Sequence, residues 1–158
     1  MTSFKSFVAA IAFMVAPFVH AHGEFFIHDA YARATAPGAP NSAAFMVLDN
    51  QSKVLKRVVS ASTPAAKRVE LHEHAMVDGM MEMRQIAQIL VPEGEQVTLK
   101  PGGLHVMLFD LTQPLKVGEH ISLTLNTADG HSLTKQIPVK SVMAGMKHHN
   151  KEMHANHE

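Results

Sequence analysis

The chain has 158 residues, in which fourteen Lys and Arg are balanced by fourteen Asp and Glu, and it contains no cysteine. Balanced and interspersed charge provides no basic surface for nucleic acid or for an anionic membrane. The lack of cysteine excludes disulfides, thiolate metal sites, dithiol redox chemistry and the thiolate ligand of a blue-copper electron carrier. The composition therefore favours partners that are recognised by shape or through a metal ion.

The N-terminal segment predicts export. Lys5 precedes an apolar stretch, Phe7 to Val19, which is followed by His20 and Ala21. A basic residue, a short apolar run and a small residue before the cut are typical of a cleaved secretory signal, here residues 1–21. The apolar run is shorter than the roughly 20 residues of a membrane span, so we expect a soluble periplasmic protein with no stable membrane insertion. Cleavage leaves about 137 residues, enough for one domain.

The following region, residues 22–140, predicts an all-β domain because short apolar runs alternate with turn residues and no helical period is sustained. Turn sequences such as Asp78-Gly79 and Pro101-Gly102-Gly103 supply the backbone dihedrals that tight connections require. Short, regularly spaced strands are typical of a two-sheet Greek-key sandwich or a barrel. The predicted strands are Phe25 to Arg33, Ala43 to Leu48, Val54 to Ser60, Arg68 to His74, Met80 to Ile89, Gln96 to Leu99, His105 to Leu111, Ile121 to Asn126 and Ser132 to Val139.

Histidines and methionines in these strands predict a copper site. His105 and Met107 alternate along one strand and therefore point to the same face, while His72 and Met83 lie in two other predicted strands. A methionine taken alone is more typical of a core filler. Two imidazoles and two thioethers together, however, form a soft, neutral ligand set that suits Cu(I) and suits Zn(II), Mg(II) or Ca(II) poorly.

The spacing of these four residues carries a family resemblance. Ten residues separate His72 from Met83, twenty-one separate Met83 from His105, and one separates His105 from Met107. This pattern, together with the run Gly102-Gly103-Leu104-His105-Val106-Met107, resembles the metal motif of the PCu(A)C periplasmic copper chaperones. The resemblance implies a cupredoxin-like Greek-key β-sandwich that binds Cu(I) through His72, Met83, His105 and Met107. It also implies delivery of copper to the copper-site subunit of cytochrome c oxidase, alongside a Sco-type protein.

Further histidine and methionine residues lie close to this motif. His74 shares a strand face with His72 by alternation, and Met76, Met80 and Met81 crowd the turn that follows. Each could serve as an alternate or relay ligand. The competing interpretation is that Met80 or Met81 fills the core while His74 and Met76 lie at the rim of the site.

The C-terminal segment, residues 141–158, is rich in histidine and methionine and poor in bulky apolar residues, which predicts a flexible tail. Clustered imidazoles suit Cu(II), so the segment predicts a secondary, capturing site; the alternative is a solvated tail with incidental metal affinity. The candidate ligands of this secondary site are His148, His149, Met153, His154 and His157, with Met143 and Met146 nearby.

Two other function classes compete with the chaperone. A periplasmic buffer or resistance protein would sequester copper with the same ligands and would not deliver it. A copper oxidase or monooxygenase could use His22, which becomes the N-terminal residue after cleavage, but the sequence offers no distinct partner motif and no aromatic platform for a substrate. We therefore expect a protein that is not an enzyme.

Overall fold

The structure is a computed structural model that describes residues 24–141, and within that range it consists of strands joined by turns. No helix that is long and apolar enough to span a membrane occurs among these residues. The prediction of an all-β domain is confirmed. The ten strands are β1 (Phe25–Arg33), β2 (Ser42–Asn50), β3 (Lys56–Ser62), β4 (Ala66–Val77), β5 (Met80–Gln85), β6 (Ile89–Val91), β7 (Gln96–Leu99), β8 (His105–Leu111), β9 (His120–Thr127) and β10 (Ser132–Lys140).

The strands follow one open hydrogen-bonded path in the order β5-β4-β8-β2-β1-β10-β9-β3-β6, and β7 pairs with the other end of β2. Every pair is antiparallel except β1 with β10. The sheet folds over on itself, because β3 also packs against β4 without being hydrogen-bonded to it. The result is a two-layered sandwich with an unclosed sheet.

One hydrophobic core lies between the two layers and receives every second residue of the strands. The cluster contains Leu71 of β4, Val106 and Leu108 of β8, and Leu123 and Leu125 of β9. The alternate residues of β4 and β8 therefore face away from this core, since successive side chains of a strand point to opposite faces. The predicted copper residues His72, His105 and Met107 belong to that outer face.

The predicted strand Met80 to Ile89 is wrong, because the structure divides it into two strands at opposite ends of the path. Every residue of β5 is exposed, and β5 forms a hairpin with β4. The chain leaves that edge after Gln85, and β6 then pairs with β3 and buries Ile89 and Val91. The uninterrupted, apolar-rich sequence gives no local signal that the chain passes from one edge strand to the other. The division is decided by pairing, because β5 pairs with β4 whereas β6 pairs with β3. The predictions for the signal peptide, residues 1–21, and for residues 142–158 of the tail lie outside the described residues.

Candidate metal centre

The register between β4 and β8 brings the two predicted imidazole ligands face to face. His72 lies directly opposite His105, and their ring centroids are 5.7 Å apart. Met107 lies two residues further along β8, opposite Glu70, so it shares this face. Both histidines are buried, with 9% and 4% of their surface exposed. The sheet therefore places three of the four predicted ligands on neighbouring positions of its outer face.

The fourth predicted ligand, Met83, reaches this cluster from β5. Its Sδ lies 3.1 Å from Nε2 of His105. Nδ1 of His105 lies 3.0 Å from the carbonyl oxygen of Gly103, which can only accept, so Nδ1 carries the ring proton. In the neutral ring, Nε2 then holds a lone pair. Two electron-pair donors thus face each other at short range, an arrangement that a soft cation would stabilise.

His72 is oriented by a carboxylate. Its Nε2 donates to Oε2 of Glu70 at 2.7 Å, and Glu70 is also paired with Arg68 on the same strand face. A carboxylate that accepts from one ring nitrogen leaves the other nitrogen as the electron-pair donor, as in many metal-binding histidines. That other atom, Nδ1 of His72, is buried and has no hydrogen-bond partner. Burial of an unpaired polar atom costs free energy, and a metal ion would offset that cost.

The electrostatics of the site favour a neutral His105 and an ionised Glu70. Burial lowers the pKa of His105, the hydrogen bond to Gly103 opposes this, and the coulombic influence of His74, His72 and Arg33 lowers the pKa further. The hydrogen bond from His72 lowers the pKa of Glu70, aided by Arg68 and opposed by burial. A neutral imidazole is the form that binds metal, so His105 is available for ligation at neutral pH.

A cavity of about 280 Å³ opens over this cluster. His105, Met83, Met107 and His74 line it, and Phe45 contributes an apolar wall. His72 is not among the lining residues; it lies directly opposite His105, and its own surface is almost wholly buried. The arrangement is a soft-donor site with one buried side and one side open to solvent.

The neighbouring residues considered as alternate ligands divide into two groups. His74 lies opposite Met83 in the β4–β5 hairpin, and its ring centroid is 5.3 Å from that of His105, so it borders the site. Met76, Met80 and Met81 are all exposed. The interpretation that Met80 or Met81 fills the core is wrong, because β5 is an edge strand that extends past the core.

Sequence reasoning missed Glu70 as a partner of the site, and it also missed the wall formed by Phe45 and by Arg33, whose guanidinium lies 5.3 Å from the Phe45 ring centroid. Glu70 was detectable, since a residue two positions before His72 in a strand shares its face. Phe45 and Arg33 come from β2 and β1, and no spacing rule connects them to the copper motif. Only the strand order brings them to the site.

A comparison with protein families identifies the chain. The family model described as "Putative lipoprotein LpqE-like" matches residues 26–139. The chain belongs to this LpqE-like family. Among its relatives, "Putative lipoprotein Lxx21020" of Leifsonia xyli subsp. xyli (strain CTCB07) is 36% identical over 106 residues, which cover 66% of this chain and 64% of that protein. The matched part thus spans somewhat less than two thirds of the relative's length.

The family match confirms the predicted PCu(A)C membership, and solved structures of similar fold confirm the cupredoxin-like sandwich. The solution structure of CuI-DR1885 from Deinococcus radiodurans is 34% identical, with a TM-score of 0.58, and the match covers 72% of this chain and 78% of that one. The copper-bound PCuAC domain from PmoF2 matches with a TM-score of 0.64 at 23% identity, over 75% of this chain and 94% of that domain. At that identity, the second match supports the fold alone.

Proposed function

We propose that this LpqE-like protein is a periplasmic copper chaperone. It binds Cu(I) through His72, Met83, His105 and Met107, and it hands the ion to the copper-site subunit of cytochrome c oxidase, with a Sco-type protein as co-partner. The observation that carries the proposal is the contact between Nε2 of His105 and Sδ of Met83, two electron-pair donors 3.1 Å apart. The copper-containing state of the Deinococcus radiodurans relative supports the choice of metal.

The ligand set suits transfer as well as binding. Four neutral ligands leave the complex with a single positive charge, so it lacks the strong charge stabilisation that thiolates provide. Met83 is 49% exposed whereas both histidines are buried, so Met83 is the ligand that an incoming donor reaches first. Transfer then proceeds by ligand exchange. A donor of the recipient replaces Met83, the histidines release last, and copper stays Cu(I) throughout.

A competition titration tests the binding step. Purified protein is titrated with Cu(I) against a chromogenic chelator, and the double variant Met83→Leu/Met107→Leu is measured in parallel. Leucine keeps the apolar volume and removes the sulfur donor, so we expect one tight equivalent that the variant loses. The matched control is Met80→Leu, which removes an exposed thioether on the opposite face of β5 and should bind as the wild type does. Equal affinity of the double variant and the wild type would refute the assignment.

A transfer assay separates the chaperone from a copper buffer. Copper-loaded protein is mixed with the metal-free soluble domain of an oxidase copper subunit, and the transfer rate is followed as the recipient concentration increases. Ligand exchange requires a complex, so the rate should rise with recipient concentration and then saturate. A rate that is independent of the recipient would mean release into solution, which is the behaviour of a protein that only sequesters copper.

We assign the C-terminal tail, residues 141–158, a second role in this proposal, the capture of Cu(II). His148, His149, Met153, His154 and His157 would capture Cu(II) outside the folded domain. Removing residues 141–158 should lower the number of Cu(II) ions bound and leave the Cu(I) affinity unchanged. An unchanged Cu(II) titration would remove the tail from the proposal.

A further inference from the structure

The tip of the β4–β5 hairpin exposes two methionines that face each other. Met76 and Met81 are directly opposite in the register, and they are 65% and 61% exposed. The connecting turn, Asp78-Gly79, has positive φ angles of 51° and 82°. Two consecutive positive φ angles define a type I′ turn, which fixes the pairing of the flanking residues. The opposition of the two thioether side chains is therefore built into the hairpin.

The same register connects this pair to the main site. The next pair on the same face is His74 with Met83, and beyond it His72 lies opposite both Gln85 of β5 and His105 of β8. Successive pairs on one face of a strand are about 7 Å apart. We call Met76, Met81, His74 and Met83 the methionine stripe. It forms an unbroken line of soft donors from the solvent-exposed hairpin tip to the buried imidazoles.

Packing does not account for the exposed end of this stripe. Met76 and Met81 lie beyond the end of the core, so their apolar surface remains in water. Directly opposed side chains of an antiparallel pair have Cβ atoms about 5 Å apart, and each methionine has three further rotatable bonds. Both sulfurs can therefore reach a shared ion, and His74 or Met83 can supply a third donor to it.

We propose that Met76 and Met81 form a second, weaker Cu(I) subsite, from which the ion passes along the methionine stripe to the main site. The path to the main site rests on the proposed function, whereas binding at the tip does not. Each step replaces one neutral donor by another. A Met76 or Met81 sulfur leaves, the His74 nitrogen or the Met83 sulfur enters, copper remains Cu(I), and no proton or electron is exchanged when the imidazole is neutral. The chemical class of the ligand is a soft monovalent cation, so Ag(I) should bind as well.

The test follows the methionine methyl groups by NMR. The full chain, labelled with ¹³C at the methionine methyls, is titrated anaerobically with Cu(I) to two equivalents. The first equivalent should shift the Met83 and Met107 signals, and the second should shift Met76 and Met81. Met80 is the internal control, because it is 64% exposed on the same hairpin but points to the other face, opposite Val77. Unshifted Met76 and Met81 signals at two equivalents would overturn the subsite.

Two variants complete the test. Met76→Leu/Met81→Leu should weaken the second equivalent by more than about tenfold, since both thioether donors are lost, and should leave the first unchanged. It should also slow the uptake of Cu(I) from a chelator severalfold, whereas Met80→Leu should not. Equal slowing of uptake by Met80→Leu would refute the subsite, because the effect would not depend on the two opposed thioethers. A double variant that impaired only the encounter with the recipient protein would also refute it. Either result would make the hairpin an apolar docking surface. A first equivalent that left Met83 and Met107 unshifted would instead refute the main site.

Discussion

Nε2 of His72 donates to Oε2 of Glu70 at 2.7 Å, and this contact selects which nitrogen of the ring is free to bind metal. A carboxylate can only accept, so the proton resides on Nε2 and the lone pair resides on the buried Nδ1. Arg68 holds the carboxylate from its other side. Glu70 therefore acts as a positioning residue that prepares His72 before the ion arrives.

We expect the variant Glu70→Gln to weaken Cu(I) binding by about tenfold, because an amide can donate as well as accept and therefore permits both ring tautomers. Affinity is measured by chelator competition. The tautomer of His72 in the metal-free protein is measured separately, from the ¹⁵N shifts of the two ring nitrogens. The control is Glu73→Gln, which alters a carboxylate on the opposite face of β4 that pairs with Arg84. A His72 that keeps a single tautomer in Glu70→Gln would show that the carboxylate does not select it.

Stability of the metal-free protein should depend on pH through His105. Burial lowers its pKa in the fold, so below the usual value of about 6.5 the unfolded chain binds a proton that the folded protein does not. Because the unfolded state then binds more protons, the free energy of unfolding falls as the pH decreases from about 6.5 towards the folded-state pKa. Denaturant unfolding at pH 7.5 and 5.5 measures this decrease. In His105→Gln the decrease should be smaller, and an identical decrease would contradict the assignment.

The ion pair between Lys56 and Asp129 should contribute stability that acid removes. Their charged atoms are 2.6 Å apart, and this contact, with a hydrogen bond from Thr127, holds the pKa of Asp129 well below its usual range. A lowered carboxyl pKa stabilises the fold above the unfolded value of about 3.9, and this stability is lost as the pH falls through the folded-state value. Because Asp129 is partly exposed, we expect Asp129→Asn to cost at most about 1 kcal/mol at pH 7. The difference from wild type in urea unfolding should shrink towards pH 2, and a constant difference would contradict the ion pair as its source.

Asn50 should contribute to the stability of the fold and should not affect the affinity for Cu(I). Its buried side chain donates to the carbonyl oxygens of Val54 and Val91, both at 2.9 Å, and accepts from the Ser52 hydroxyl at 2.6 Å. Asn50→Ala removes these hydrogen bonds, of which the Ser52 hydroxyl can replace the one to the carbonyl oxygen of Val54, and should lower the free energy of unfolding by about 3 kcal/mol. Asn126→Ala, whose hydrogen bonds are exposed to solvent, should change it by less than about 0.5 kcal/mol. The first equivalent of Cu(I) should bind the folded Asn50→Ala protein as tightly as the wild type. A tenfold loss would show coupling between this end of the sandwich and the metal centre.

The sequence determined those features that depend on neighbouring residues. Alternation along a single strand placed His105 and Met107 on one face, and the limits predicted for β1, β7 and β8 are the same residues as in the structure. Turn residues marked the ends of the strands, because backbone dihedrals are a local property. The family spacing of His72, Met83, His105 and Met107 was also visible without any structure.

The tertiary structure alone decided the features that depend on strand pairing. It divided the run from Met80 to Ile89, because Met80–Gln85 pairs with β4 at one edge of the sheet whereas Ile89–Val91 pairs with β3 at the other. The same pairing set Met83 against His105 and placed His74, Met76 and Met81 on the face of the hairpin that carries Met83. Strand order and register are set by the burial of one face of each strand against distant partners. Local sequence specifies which residues share a face, and only the assembled sandwich determines which faces meet.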